Sequence, residues 1–194
     1  MARPLVYFVR HGETDWNAEG RLQGQRDTPL NERGRMQAEE AGRRLQRAVK
    51  DPAALDYVAS PLLRTRDTME RMRQVLGLDP HSYRLDERLL EISFGRWEGL
   101  TWREVRARDP KGAAGREGDK WAYVPPEGES YGMLAERVAP VFAELSRDTV
   151  IVAHGGVARA LLASYAGVPP ATAPRVDIWQ GRVLVFEAGE SRWI

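Results

Sequence analysis

The chain has 194 residues, 42% hydrophobic and 29% charged, with 29 basic side chains against 28 acidic ones and a net charge of +1. This length suits one domain with a full hydrophobic core, and the balanced charge gives no ground for a nucleic-acid or membrane partner. The absence of cysteine excludes disulfides and thiolate metal sites. The N-terminal apolar run, preceded by one basic residue, is too short and too polar at its end for a signal peptide or a membrane span, so the expected location is cytoplasmic.

Leu5 to Val9 is continuously apolar, the pattern of a strand covered on both faces. A polar loop from 10 to 31 follows, and Asn31 is placed to cap a helix carrying Ala38, Ala41, Leu45 and Val49 on one face. Asp56 to Ala59 reads as a short strand. Ser60 and Pro61 read as N-cap and first position of a helix with Leu62, Thr65, Met69, Met72 and Leu76 along one stripe. His81 to Leu85 is a third strand candidate, trailed by a long loop to Leu100 and a short helix over 101–108. Prolines and glycines break the segment 109–129, which reads as an irregular insertion. Ser130 starts a helix with Leu134, Val138, Val141 and Leu145 inward. Thr149 to Ala153 is the next strand, Val157 to Ala166 the next helix, and Arg182–Glu187 and Arg192–Ile194 are expected as edge strands. Strands alternating with helices predict a three-layer α/β/α fold with a mostly parallel central sheet.

Two of the three histidines, His11 and His154, sit where an apolar run stops at a glycine. Carboxyl ends of parallel strands meet in one crevice, where ligands bind. The start of the helix after Ser60 and the loop after Leu85 should reach the same edge. A phosphate monoester carries about two negative charges, and arginine grips such oxygens with its planar fork. Arg10 precedes His11, and Arg64 lies in a first helical turn, where free backbone N–H groups also favour anions. His11, with an ordinary pKa of about 6.5, suits a nucleophile. His154 is expected to stay protonated and to stabilise transition-state charge. A general acid must protonate the leaving oxygen, and Glu87, Glu91 and Glu98 all qualify by position.

Arg10-His11-Gly12-Glu13, Ser60-Pro61-Leu62-Leu63-Arg64, Glu91 with Gly95-Arg96-Trp97-Glu98-Gly99, and His154-Gly155-Gly156 occur in that order. In these motifs, spread from Leu5 to about Ala166, the chain resembles the histidine phosphatase superfamily, the phosphoglycerate mutase-like clan. The resemblance implies a phosphoglycerate mutase-like fold and His11 as the phosphorylated residue. It further implies Arg10, Arg64 and His154 as the phosphate pocket, and no metal or cofactor. It selects Glu91 as proton donor, eight positions before Gly99. It places Asn17 on the phosphoryl group and Gln23 and Gly24 on the substrate side. The implied partner is a small phosphorylated metabolite.

Members that isomerise phosphoglycerates are longer and close their sites with larger insertions and a C-terminal tail. This chain ends soon after its last strand, so water should reach the phosphohistidine and hydrolysis is favoured. A mutase-type phosphotransferase is the alternative, and a silent binding module is the third reading. The expected organisation is one domain over 1–194 with a substrate-side insertion at about 95–130. Trp97 and Trp102 are expected to pack. Trp121 and Tyr123 are assigned equally to packing and to substrate contact. His81 is expected as a core histidine, and Glu87 as an ion-pair partner of Arg88 or another nearby arginine. Arg103, Arg106, Lys111, Arg116 and Lys120 read as solvated surface rather than as a second anion site. Exposed terminal strands offer a surface for a homodimer.

Overall fold

The computed structural model describes residues 4–194; residues 1–3, including the lone N-terminal basic residue Arg3, lie outside the described residues. A six-stranded sheet forms the middle layer. Its strands are β1 (Val6–Arg10), β2 (Asp56–Ala59), β3 (Arg84–Leu85), β4 (Thr149–Ala153), β5 (Val183–Glu187) and β6 (Glu190–Trp193), in the order β3-β2-β4-β1-β5-β6. The first four run parallel; β5 is antiparallel to β1 and to β6. The expected three-layer, mostly parallel architecture is therefore the observed one.

Side chains on a strand alternate between faces, and here each face meets its own helix pair. Phe8, Ile151, Leu184 and Phe186 pack with Leu134, Val138 and Val141 of α6 (Tyr131–Ala143) and with Val157 and Leu161 of α7 (Gly155–Ser164). Tyr7, Val9, Val150, Val152, Val183 and Val185 pack with Ala41 and Leu45 of α2 (Glu32–Ala48) and with Met69 and Met72 of α3 (Leu63–Val75). The continuous apolar runs in β1 and β4 are thus explained by two buried faces.

Several expectations are corrected. The loop after β1 contains a one-turn helix, α1 (Asp15–Ala18), closed by a capping box between Thr14 and Asn17. Ser60 does not cap α3. The helix begins at Leu63, and its first free N–H donates to Asp27 Oδ1 at 2.7 Å, so a distant carboxylate does the capping. Only Arg84–Leu85 of the 81–85 candidate forms a strand, and His81 is exposed rather than in the core. The segment 109–129 is not wholly irregular. After α4 (Trp102–Arg108), Pro110 opens a second helix, α5 (Pro110–Gly118), with Asp109 capping Gly112 N; proline at a first helical position starts a helix instead of breaking it. Finally, β5 is an interior strand. Ala188 and Gly189, both at positive φ, turn the chain back so that β6 takes the edge.

Candidate active site

β1 and β4 are neighbours in register, Arg10 opposite Ala153, so the residues that follow each strand emerge side by side. The His11 backbone N–H donates to Ala153 O at 3.0 Å, and the His11 and His154 rings stand edge-on with centroids 5.2 Å apart. Glycine is needed where the loop leaves β1: a Cβ on Gly12 would collide with the Gly34 carbonyl of α2. Arg10, His11, Asn17, Gln23, Gly24, Arg64 and Glu91 line one cleft of about 130 Å³, together with Tyr131, Gly155, Gly156 and Arg159. His154 lies fully buried behind it.

Each arginine of the pocket is held by backbone carbonyls. Arg64 donates through Nη1 to Arg26 O at 2.7 Å and through Nη2 to Gly24 O at 2.8 Å. Arg10 Nη1 donates to Ile178 O at 2.8 Å. His11 Nδ1 donates to Gly12 O at 2.7 Å, leaving Nε2 with the lone pair. His154 Nε2 meets Ser60 Oγ at 2.8 Å. What remains is a set of buried nitrogens without partners: Arg10 Nε, Arg64 Nε and His154 Nδ1. Buried donors are almost always satisfied, so three orphans around one histidine mark a place shaped for an acceptor. The N-terminus of α7, which His154 enters, adds its positive dipole end.

Burial and the positive charges of Arg64 and Arg10 hold His11 well below its ordinary pKa. Burial, Arg64, His11 and Arg10 do the same to His154. Both imidazoles are therefore neutral at pH 7. This weighs against the protonated His154 expected from the sequence: the interior that positions the ring also disfavours its charge. Burial lowers Arg64 to about 10, which leaves it a cation at neutral pH.

Of the three candidate acids, only Glu91 lines the cleft. Its Oε1 accepts from Ile92 N at 2.8 Å and its Oε2 from Gly156 N at 3.1 Å. A Cβ on Gly156 would strike that carboxylate, so a larger residue here would push Glu91 out of place. Glu98 instead ties loops together, accepting from Gln25 N and Phe94 N and pairing with Arg26. Glu87 is exposed, and Arg88 pairs with Asp86 and Glu144 rather than with it. Asn17 is anchored through Oδ1 to Thr14 N and Gln180 Nε2, and Gln23 Oε1 accepts from Thr14 and Thr28. Glu13 is engaged with Asn31 and Arg33, and among the described residues no three His, Cys, Asp or Glu side chains gather as a metal would need.

Sequence reasoning missed or misread five contributors. Arg159 lines the cleft, its Nε donating to Val176 O at 2.8 Å; a lone arginine in an otherwise apolar helix was its signal. Arg137 pairs with Glu129 at 2.9 Å and donates to the carbonyls of Arg88, Leu90 and Glu91, pinning the loop that presents Glu91. Ser60 lay within a recognised motif but was read only as a helix cap, and Tyr131 carried no distinguishing spacing. Arg116, read as surface, is 4% exposed. Its guanidinium is caged by Phe94, Trp102 and Tyr131 at 5.2–5.7 Å, with Nε and Nη1 unpartnered. Trp97 packs as expected, stacked on Tyr123.

Fold and site together define an α/β enzyme with a histidine and two arginines converging on an anion-sized cleft. The chain belongs to the histidine phosphatase superfamily, branch 1, whose family model matches residues 6–194, and it is a phosphatase-type hydrolase. It is 40% identical over 188 residues to the glucosyl-3-phosphoglycerate phosphatase of Mycobacterium tuberculosis, covering 89% of this chain and 79% of that one. It is 37% identical over 205 residues to the protein of the same description from Mycolicibacterium vanbaalenii, covering 99% and 83%. A solved structure of the mycobacterial glucosyl-3-phosphoglycerate phosphatase complexed with VO3 superposes with a TM-score of 0.82 at 33% identity, covering 100% of this chain and 96% of that chain.

Proposed function

We propose that this protein hydrolyses small phosphomonoesters through a phosphohistidine on His11. The observation that carries the reading is the set of three orphaned nitrogens around the free Nε2 of His11. Arg10, Arg64 and His154 bind the phosphoryl oxygens, with Asn17, Gln23 and Gly24 alongside. His11 Nε2 attacks phosphorus, an N–P bond forms and the ester P–O bond breaks. Glu91 passes a proton to the leaving oxygen. Its carboxylate then takes a proton from water as that water attacks phosphorus, releasing phosphate and restoring His11. Neutral His11 suits attack, and the guanidinium groups stabilise the charge that spreads over the transferring oxygens.

A cleft of about 130 Å³ holds little more than the phosphoryl group, so the rest of the substrate lies outside it. Arg116, packed against Phe94 and Tyr131, also lines a cavity of about 580 Å³ with Trp102, Arg106, Ala113, Glu117 and Lys120. Lys120 is paired with Glu117, but Arg106 and Arg116 beside apolar surface suit a metabolite with an acidic non-phosphate half, and the names of the mycobacterial relatives point the same way. In this reading the chain works as one catalytic domain, with the segment at about 95–130 as its substrate-side wall.

The test is phosphate release from an ester panel in excess EDTA, with His11→Ala run alongside. Activity that survives EDTA and vanishes in the variant supports the reading. Isomerisation of phosphoglycerate that depends on a bisphosphate primer would replace it with a mutase.

A further inference from the structure

The two ring nitrogens of His154 have different company. Nε2 lies 2.8 Å from Ser60 Oγ, and Nδ1 is buried with no partner. Ser60 is itself fully buried at the end of β2, its N–H donating to Val152 O at 3.0 Å, so its hydroxyl is fixed relative to β4 and to the histidine that follows it. The charged groups facing the ring are basic: Arg64 from α3, Arg10 beside His11 from β1, and Arg137 from α6. The carboxylate of Glu91 is occupied by the N–H groups of Ile92 and Gly156.

A neutral imidazole carries one N–H, and its other nitrogen accepts. With the proton on Nε2, His154 donates to Ser60 and leaves Nδ1 with a lone pair, which would repel a phosphoryl oxygen placed beside it. With the proton on Nδ1, the lone pair faces Ser60. A serine hydroxyl both donates and accepts, so rotation about Cβ–Oγ lets the same 2.8 Å contact serve the second form. The basic surroundings oppose the remaining option, an imidazolium.

We propose that Ser60 is a positioning residue for phosphoryl transfer: its hydroxyl donates to Nε2 of a neutral His154 and thereby sets the N–H on Nδ1, facing the phosphoryl oxygens. This rests on the phosphoryl-site reading above. His154 neither gains nor loses a proton during turnover; the proton for the leaving oxygen comes from Glu91 and is returned by water. Ser60 acts through His154 and touches no substrate atom.

The experiment is ¹⁵N NMR of histidine-labelled protein saturated with inorganic phosphate, between about pH 6 and 8, on wild type, Ser60→Ala and Ser60→Thr. In wild type His154 gives the neutral Nδ1–H pattern. In Ser60→Ala that pattern gives way to the Nε2–H tautomer or a mixture, and kcat for 4-nitrophenyl phosphate falls about tenfold with a smaller change in KM. Ser60→Thr, which keeps the hydroxyl, restores both. An imidazolium pattern in the wild-type phosphate complex overturns the proposal, as does a Ser60→Ala protein with unchanged tautomer and unchanged kcat. The wild-type spectrum decides if Ser60→Ala does not fold. Failure of the phosphoryl-site reading looks different, because His154 signals then do not respond to phosphate at all.

Discussion

The phosphoryl cleft and the α4–α5 wall are both rich in arginine, yet their arginines are held in opposite ways. In the cleft, Arg10 and Arg64 donate to backbone carbonyls and keep their Nε groups in reserve. A carbonyl orients a guanidinium without neutralising it, so the positive charge stays available to an anion. On the α4–α5 side, Lys120 and Arg175 are paired with Glu117, and Arg96 is paired with Glu127. Exposed pairs of this kind contribute little to stability and leave little field to spend on a ligand. Arg116 is the exception on that side, with aromatic rings in place of a carboxylate. The contrast teaches that counterion choice, more than arginine count, separates a binding site from a solvated face.

The contrast is broken most completely by His11→Ala. This substitution should cut kcat by at least about a thousandfold, as loss of a nucleophile does, while a thermal melt stays near that of the wild type. Turnover close to normal would remove His11 from the chemistry. Glu91→Gln comes next. It should slow alkyl phosphates by about 10²–10⁴-fold and 4-nitrophenyl phosphate far less, since that phenolate leaves without a proton. If Glu98→Gln shows this selectivity instead, the cleft assignment of Glu91 is wrong.

Arg137→Ala sharpens the comparison from the loop side. Arg137 does not itself line the cleft, but it holds the carbonyls of Leu90 and Glu91 and the carboxylate of Glu129. Its loss should lower kcat by about ten- to a hundredfold through displacement of Glu91, with the same leaving-group selectivity as Glu91→Gln. An equal effect on all esters would mean general loosening of the fold instead. On the α4–α5 wall, Arg116→Gln should raise KM about tenfold more for an ester bearing a carboxylate than for 4-nitrophenyl phosphate. That ratio corresponds to about 1.4 kcal/mol, and equal KM changes would assign Arg116 to packing alone.

The same division governs how much the sequence disclosed. The core was legible because both faces of the sheet are covered, so β1 and β4 read as unbroken apolar runs and Ala41, Leu45, Met69 and Met72 fell at helical spacing. His11, His154, Arg10 and Arg64 were legible because strand ends and a first helical turn fix their location. Ser60 misled because its hydroxyl has two competing uses, and the local one, a helix cap, was taken by Asp27 from 36 positions away. Nothing in local spacing reports such a partner. Arg116 misled for a related reason: a charge run reads as surface unless the aromatic residues that cage it are known to be neighbours, and Phe94, Trp102 and Tyr131 come from three separate segments. Pro110 was read as a breaker when it starts a helix, an ambiguity that the cap at Asp109 resolves.

The smallest expected effect concerns stability, and its sign follows from the buried histidines. His11 and His154 are both held well below the ordinary value of about 6.5 by burial and by Arg64 and Arg10. In the unfolded chain each takes up a proton as the pH falls through about 6.5, while in the folded protein each refuses it. The unfolded state then binds more protons, so stability is full above that pH and is lost as the pH falls toward the lowered folded values. Each group contributes at most about 1.4 kcal/mol per pH unit in that window, or about 2–4 °C in Tm per kcal/mol for a chain of this size. Tm measured at pH 7.5, 6 and 5 should therefore decline on the acid side, and His154→Gln should flatten the decline by close to half. If the acid slope is the same in His154→Gln as in wild type, carboxylates elsewhere govern the acid limb and the neutral state of His154 loses its thermodynamic support.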